Sequence, residues 1–316
     1  VARRYAIGEA SALAALAELA RNGRVLEGEF RPGGHGREWC GADVLATLRR
    51  RSLATLRKQV EPAEKTALAR LLADWQGVAR APATRRGPDA LLDVVEQLQG
   101  AAFPASILER DVLRARVPGY RPGDLDTLSA AGEVAWVGLG ALGDRDGRIA
   151  LFLADDLPLL LPSRPEAPQG DVHARIREHL GRQGASFFEG VVDAAGAGLA
   201  RPVVDALWDL AWAGEVTNDT PEALRAFLAA HGVRAERRHR VAGFRSRRQV
   251  PPSAVGRWSL LASPRRAPSA TERMKALAEQ LLKRHGVLTR DAVVFEDVPG
   301  GFSAVYPVLK ALEDAG

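Results

Sequence analysis

One ten-residue pattern, L-x-x-L-x-x-x-G-x-V, stands three times in this chain: LAELARNGRV (Leu16 to Val25), LDTLSAAGEV (Leu125 to Val134) and LWDLAWAGEV (Leu207 to Val216). A fourth copy, LKALEDAG, runs from Leu309 to Gly316. An internal repeat restricts the fold more than any total does, because one local structure must suit every copy. Leucines three apart share a helix face. Glycine supplies the left-handed residue that ends a helix. The Val that follows opens a strand.

Each later copy has a matching upstream part: an amphipathic helix, a glycine, a short apolar stretch and a second helix. These parts are DALLDVVEQLQGAAFPASILERDVL, DVHARIREHLGRQGASFFEGVVDAA and RMKALAEQLLKRHGVLTRDAVVFED. The paired glycines fall at Gly100 and Gly132, Gly184 and Gly214, and Gly286 and Gly316. The unit is therefore helix, short strand, helix, turn, helix, glycine, strand. In the second copy a returning strand is plain: EVAWVGLGAL, a turn at GDRDG, then RIALFLADD. That order is a helix-turn-helix followed by a β-hairpin wing. In the third copy the return is delayed to GRWSLLAS (Gly256 to Ser263), after an insertion of about forty residues.

The resulting expectation is an α+β fold, mainly helical, of tandem winged-helix modules with small antiparallel hairpins. A small β-barrel from the strands around 241–262 is a further expectation. Residues 1–42 read as the end of a winged-helix unit with its wing, 43–87 as a helical connector and 88–162 as a complete module. A linker follows at 163–170. Residues 171–263 form a winged-helix-like module with a basic insertion, and 270–316 a truncated unit. The chain begins with Val1 and stops at Gly316, so it reads as part of a longer polypeptide. No apolar run approaches the roughly 20 residues of a membrane helix, and no membrane contact is expected. The one cysteine, Cys40, excludes an intrachain disulfide and a Cys-rich zinc module. A cytoplasmic setting follows as the expectation.

The net charge is +5, and arginine is clustered. LRRRSLATLRK holds Arg49, Arg50, Arg51, Arg57 and Lys58. On a helix Arg50 and Arg57 share a face with Leu53. RAERRHRVAGFRSRR holds seven arginines, among them Arg237, Arg238, Arg240, Arg245, Arg247 and Arg248. A GC-rich genome inflates arginine everywhere, and a solvated face tolerates it; clustering favours a polyanion. Trp136 stands on the strand entering the wing. It reads either as a core aromatic at the wing root or as a platform for a nucleobase, worth about 1–3 kcal/mol per base. Trp208 and Trp212, one helical turn apart beside the leucine seam, read as packing against a neighbouring module.

Several chemistries are not legible. No His-x-x-x-His or His-Glu-x-x-His spacing occurs among the six histidines. Ser52, Ser106 and Ser186 lack a G-x-S-x-G context. No G-x-x-x-x-G-K-[ST] phosphate loop is present, and GEFRPGGHG lacks the Lys-Ser/Thr that would hold phosphates and Mg²⁺.

The phrases EWCGADVLATLRRRSLATLRKQVEP, WQGV, EQLQGAAFPASILERDVLRARVPGY, LDTLSAAGEVAWVG, GASFF, LWDLAWAGEVTND, GRWSLL and LAEQLLKRHGVLTRDAV, in that order, resemble the large helicase-related (Lhr) proteins. These are superfamily 2 ATP-dependent helicases. The resemblance covers essentially the whole chain. It implies a non-motor region of winged helices whose wings and Arg clusters hold single-stranded or 3′-tailed DNA, or an RNA:DNA hybrid, beside RecA-like motor domains of the same polypeptide. ATP and Mg²⁺ would then belong to those motor domains, with no cofactor and no catalytic residue here. It also raises the base-stacking reading of Trp136. Two further readings stay open: a scaffold that builds a homo-oligomer, and a module like the winged-helix DNA glycosylases, which use paired Gln and carboxylates. The pair Gln97 and Gln99 lies at a helix end, where i and i+2 do not share a face.

Overall fold

The computed structural model describes residues 2–30, 37–59, 64–79, 86–161, 167–196, 200–231, 250–261 and 267–315. The chain divides into two compact units, residues 1–65 with 306–316, and residues 66–305.

The first unit contains α1 (Ala2–Tyr5), α2 (Glu9–Arg21), an antiparallel hairpin of β1 (Val25–Gly28) and β2 (Glu38–Gly41), and α3 (Ala42–Gln59). The second unit takes up α4 (Lys65–Trp75) from Thr66 onward. Its first complete module starts with α5 (Pro88–Leu98) and β3 (Phe103–Pro104). Next come α6 (Ala105–Ile107), a π-helical turn over Leu108–Leu113 and α7 (Arg114–Arg116), then α8 (Pro122–Ala130). The wing strands β4 (Val134–Leu142) and β5 (Asp146–Leu153) pair antiparallel, with Trp136 opposite Leu151, and β3 adds to β5. Helix α9 (Leu157–Leu160) ends the module.

The next module repeats the order: α10 (Asp171–Gln183), β6 (Ser186–Phe187), α11 (Phe188–Ala195), α12 (Ala200–Trp212) and β7 (Val216–Asn218). Helix α13 (Glu222–His231) opens the insertion, and β8 (Arg257–Leu260) returns between β6 and β7. Helices α14 (Ala270–His285), α15 (Arg290–Phe295) and α16 (Gly301–Ala315) close the chain. The expected barrel is corrected: the described strands form one two-stranded and two three-stranded sheets with no closed barrel among them. Strand β8 is spent on its own module, and residues 241–249 lie outside the described residues. Helix α13, at the start of the insertion, buries Ala223, Leu224 and Phe227.

The sequence repeat is a structural repeat down to single hydrogen bonds. Gly23, Gly132 and Gly214 have φ of 68°, 77° and 70°. In each copy the amide after the glycine reaches back to the helix: Arg24 N to Leu19 O, Glu133 N to Leu128 O and Glu215 N to Leu210 O, at 2.9, 3.0 and 2.9 Å. This is the long bond of the left-handed C-cap, which satisfies a carbonyl the helix leaves open. The same three residues then accept from the end of the returning strand: Ala42 N to Arg24 O, Ala154 N to Glu133 O and Leu261 N to Glu215 O.

The two complete modules share one hydrophobic core. Helix α12 buries Val203, Ala206, Leu207, Trp208, Leu210, Ala211 and Trp212, so only a narrow row faces water. Trp208 stacks on Trp136 with centroids 6.1 Å apart, and meets Trp212, Phe227 and Trp258 at 5.2, 4.4 and 5.6 Å. The wing reaches α12 only because it lacks side chains at two points. A Cβ on Gly138 would lie 2.0 Å from the Ala211 carbonyl oxygen, and one on Gly147 would lie 2.4 Å from the Trp212 ring. Such backbone contact cannot relax by a rotamer change. Gly138→Ala is expected to lower stability by about 1–3 kcal/mol or more, read as a lower urea midpoint at unchanged slope.

Candidate nucleic-acid interface

In a winged helix the last helix before the wing normally enters the major groove. Here those helices are α8 and α12, and neither is presented for that task. Between its buried positions α12 exposes Arg201, Asp205 and Asp209, one helical turn apart. Asp205 faces Arg201, and Asp209 meets His173 Nε2 at 3.1 Å. Two carboxylates to one guanidinium repel phosphate rather than hold it. Helix α8 carries no cation, and its acids are already engaged. Asp124 accepts from the Arg121 amide at the helix start, and Asp126 is gripped by Arg225 of α13.

Arg225 is the hub of a clamp between the modules. Its Nη1 donates to both oxygens of Asp126 at 2.8 and 2.9 Å, its Nε to Glu109 at 2.7 Å, and its Nη2 to the Pro122 carbonyl at 3.1 Å. Tyr120 donates its hydroxyl to Glu109 at 2.6 Å. Burial pulls the Arg225 pKa down, but the bonds from Glu109 and Asp126 outweigh it and hold the guanidinium above its ordinary value. Burial, then the bond to Glu109, pushes the Tyr120 phenol well up. The sequence reading missed Arg225. Its available signal was a lone cation inside the apolar run Leu224, Phe227, Leu228.

Trp136 is corrected from an open platform to a core residue. It is 1% exposed, and its ring lies against Trp208, so no face is offered to a base. Its backbone carbonyl accepts from Thr217 Oγ1 at 2.7 Å, and its Nε1 is buried without a partner among the described residues. Trp208 and Trp212 pack on the wing of the preceding module, as their spacing predicts.

The first arginine cluster lies on α3, none of whose described side chains is buried. Arg57 pairs with Glu313, and Arg49 Nη1 donates to the Ala315 carbonyl at 2.9 Å. These two are tethered to the end of α16. Arg50 donates to the Ala46 carbonyl of its own helix at 3.4 Å, while Arg51 and Lys58 are exposed beside it. The second cluster, with Arg237, Arg238, Arg240, Arg245, Arg247 and Arg248, lies outside the described residues.

A cleft of about 610 Å³ is lined by Gln99, Leu160, Met274, Leu277, Arg284 and Glu296, among others. Gln99 is buried; its amide donates to Asp156 at 2.8 Å and its oxygen accepts from the Leu153 amide at 2.9 Å. Gln97 turns the other way and donates to the Trp75 carbonyl. Glu296 takes both Arg284 and, at 2.7 Å, His285. Among the described residues no group of three or more His, Cys, Asp or Glu could hold a metal. No helix among them is long and apolar enough to cross a membrane.

Comparison with known proteins follows the same lines. Residues 63–154 and 267–316 each match a family model described as a winged-helix domain of the large helicase-related protein. A Lhr helicase/probable uracil glycosylase of Mycolicibacterium smegmatis is 44% identical across the whole chain. The chain belongs to the Lhr family. A Lhr helicase/uracil glycosylase of Escherichia coli is 34% identical over 88% of it. The chain spans about one fifth of each relative, 21% and 20%. It is a winged-helix region of a larger Lhr helicase polypeptide.

Two outcomes follow for this Lhr region. Trp136→Ala is expected to cost about 3–5 kcal/mol of stability, seen as a fall in the denaturation midpoint. A phenol whose pKa is raised on folding contributes stability that is present below about pH 10 and lost as pH rises past it. Tyr120→Phe should therefore flatten the loss of stability above about pH 10, measured by urea titration across alkaline buffers.

Proposed function

We propose that this chain is the nucleic-acid-binding accessory region of an Lhr-type ATP-dependent helicase, acting in DNA repair in the cytoplasm. It holds single-stranded or 3′-tailed DNA, or the DNA of an RNA:DNA hybrid, beside RecA-like motor domains that carry the ATP and Mg²⁺ chemistry. The observation that carries the reading is the division of charge. Helix α12 leaves Arg201, Asp205 and Asp209 outside and α8 carries only Asp124 and Asp126, whereas α3 presents Arg50, Arg51 and Lys58 outward. Contact is then to the phosphate backbone and independent of sequence. The basic segment from Arg234 to Arg248 is a further source of such contacts.

A second reading, assembly into a homo-oligomer, draws support from apolar side chains left in water. Phe295 and Val294 on α15 are 88% and 74% exposed. Light scattering on the eluting peak separates the two: a stable oligomer with weak DNA binding favours assembly. The relatives' names also carry a glycosylase. The cleft beside Gln99 is the place for an extruded base, although Gln99 and Glu296 are already bonded within the fold. Release of uracil from DNA, scored as abasic sites, tests that alternative.

The binding reading predicts an affinity for single-stranded DNA that falls linearly on a log–log plot against salt. Replacing Arg50, Arg51 and Lys58 with Ala should lower affinity and reduce the slope by about 2, at about 0.7 per phosphate contact. No measurable binding of single-stranded or 3′-tailed DNA at low salt would sink the proposal.

A further inference from the structure

A further cationic surface lies on α10. Arg175, His179 and Arg182 follow one another at i, i+4 and i+7, so they share one helix face over about 10 Å. With Glu178, Gln183 and Ala194 they line a concavity of about 260 Å³ between α10 and α11. Each basic side chain is fixed by one bond. Arg175 Nη1 donates to the Ala195 carbonyl at 2.9 Å, at the end of α11. Arg182 Nη1 donates to Glu178 Oε1 at 3.2 Å, an exposed pair. His179 Nε2 lies 3.1 Å from Ser186 Oγ, which itself donates to the Gly184 carbonyl at 3.3 Å.

We propose that Arg175, His179 and Arg182 form a phosphate-binding subsite for the backbone of a bound nucleic-acid strand. The inference rests on the nucleic-acid-binding reading and locates part of its footprint on α10. Arg182 is the principal contact. A phosphate displaces Glu178 from it, since an exposed i,i+4 pair holds only weakly against solvent. Arg175 has part of its charge occupied by the α11 carbonyl and supplies the remaining donors of its fork.

The test measures the salt dependence of single-stranded oligonucleotide binding to the full chain, alongside a titration with sodium tripolyphosphate followed through the His179 imidazole resonance. Arg182→Ala, at an exposed site, is expected to reduce the salt slope by about 0.7, and Arg175→Lys with Arg182→Ala by at least that much. Glu178→Gln should raise affinity several-fold, which a merely structural role would not do. Tripolyphosphate should shift the His179 signal in the wild type and not in Arg182→Ala. Oligonucleotide binding with an unchanged slope in Arg182→Ala and no gain in Glu178→Gln would overturn the subsite and leave the broader reading intact. A tripolyphosphate response without oligonucleotide binding would retain the subsite and overturn the broader reading. No response to either would overturn both.

Discussion

The contact between a wing and the helix of the next module governs this structure. It is made of backbone: Gly138 lies against the Ala211 carbonyl, and Gly147 lies under the Trp212 ring. Only at that distance can Trp136 and Trp208 stack and draw Trp212, Trp258 and Phe227 into one core. Large aromatic side chains dominate the energetics of any core they join. The wing of one module is thereby joined to α12, the last helix before the wing of the next.

That joining fixes the distribution of charge. A recognition helix with an apolar circumference cannot also be basic, and the positions left outside on α12 are Arg201, Asp205 and Asp209. Helix α8 is held from the side by Arg225, whose two carboxylate partners neutralise a cation that would otherwise be buried at great cost. Exposed cations stand elsewhere, among them Arg50, Arg51 and Lys58 on α3 and Arg175 and Arg182 on α10. A winged-helix fold alone therefore does not say which face binds.

Much of the architecture was legible in the sequence because it is local. The repeated glycines foretell the helix ends, and the observed φ values and back-bonds agree copy by copy. The pairing of GRWSLL with VTN was readable despite the long insertion, since both are short apolar strands with turn signals. The candidate site was less legible. Trp136 alternates correctly for a strand, yet alternation does not say what covers its face, and a helix from another module does. Arg49 and Arg57 look identical to Arg50 and Arg51 in sequence and differ only in what lies within reach. The stripe on α10 escaped notice because Glu178 interrupts it and a histidine completes it.

The shared core also bears on how force passes through the region. The residues at 163–170 have the composition of a flexible joint, rich in proline and small polar side chains. Yet the modules on either side cannot turn about that joint without pulling Trp208 from Trp136 and lifting Trp212 from Gly147. The two modules are held as one body by that core, and a displacement of one carries the other with it.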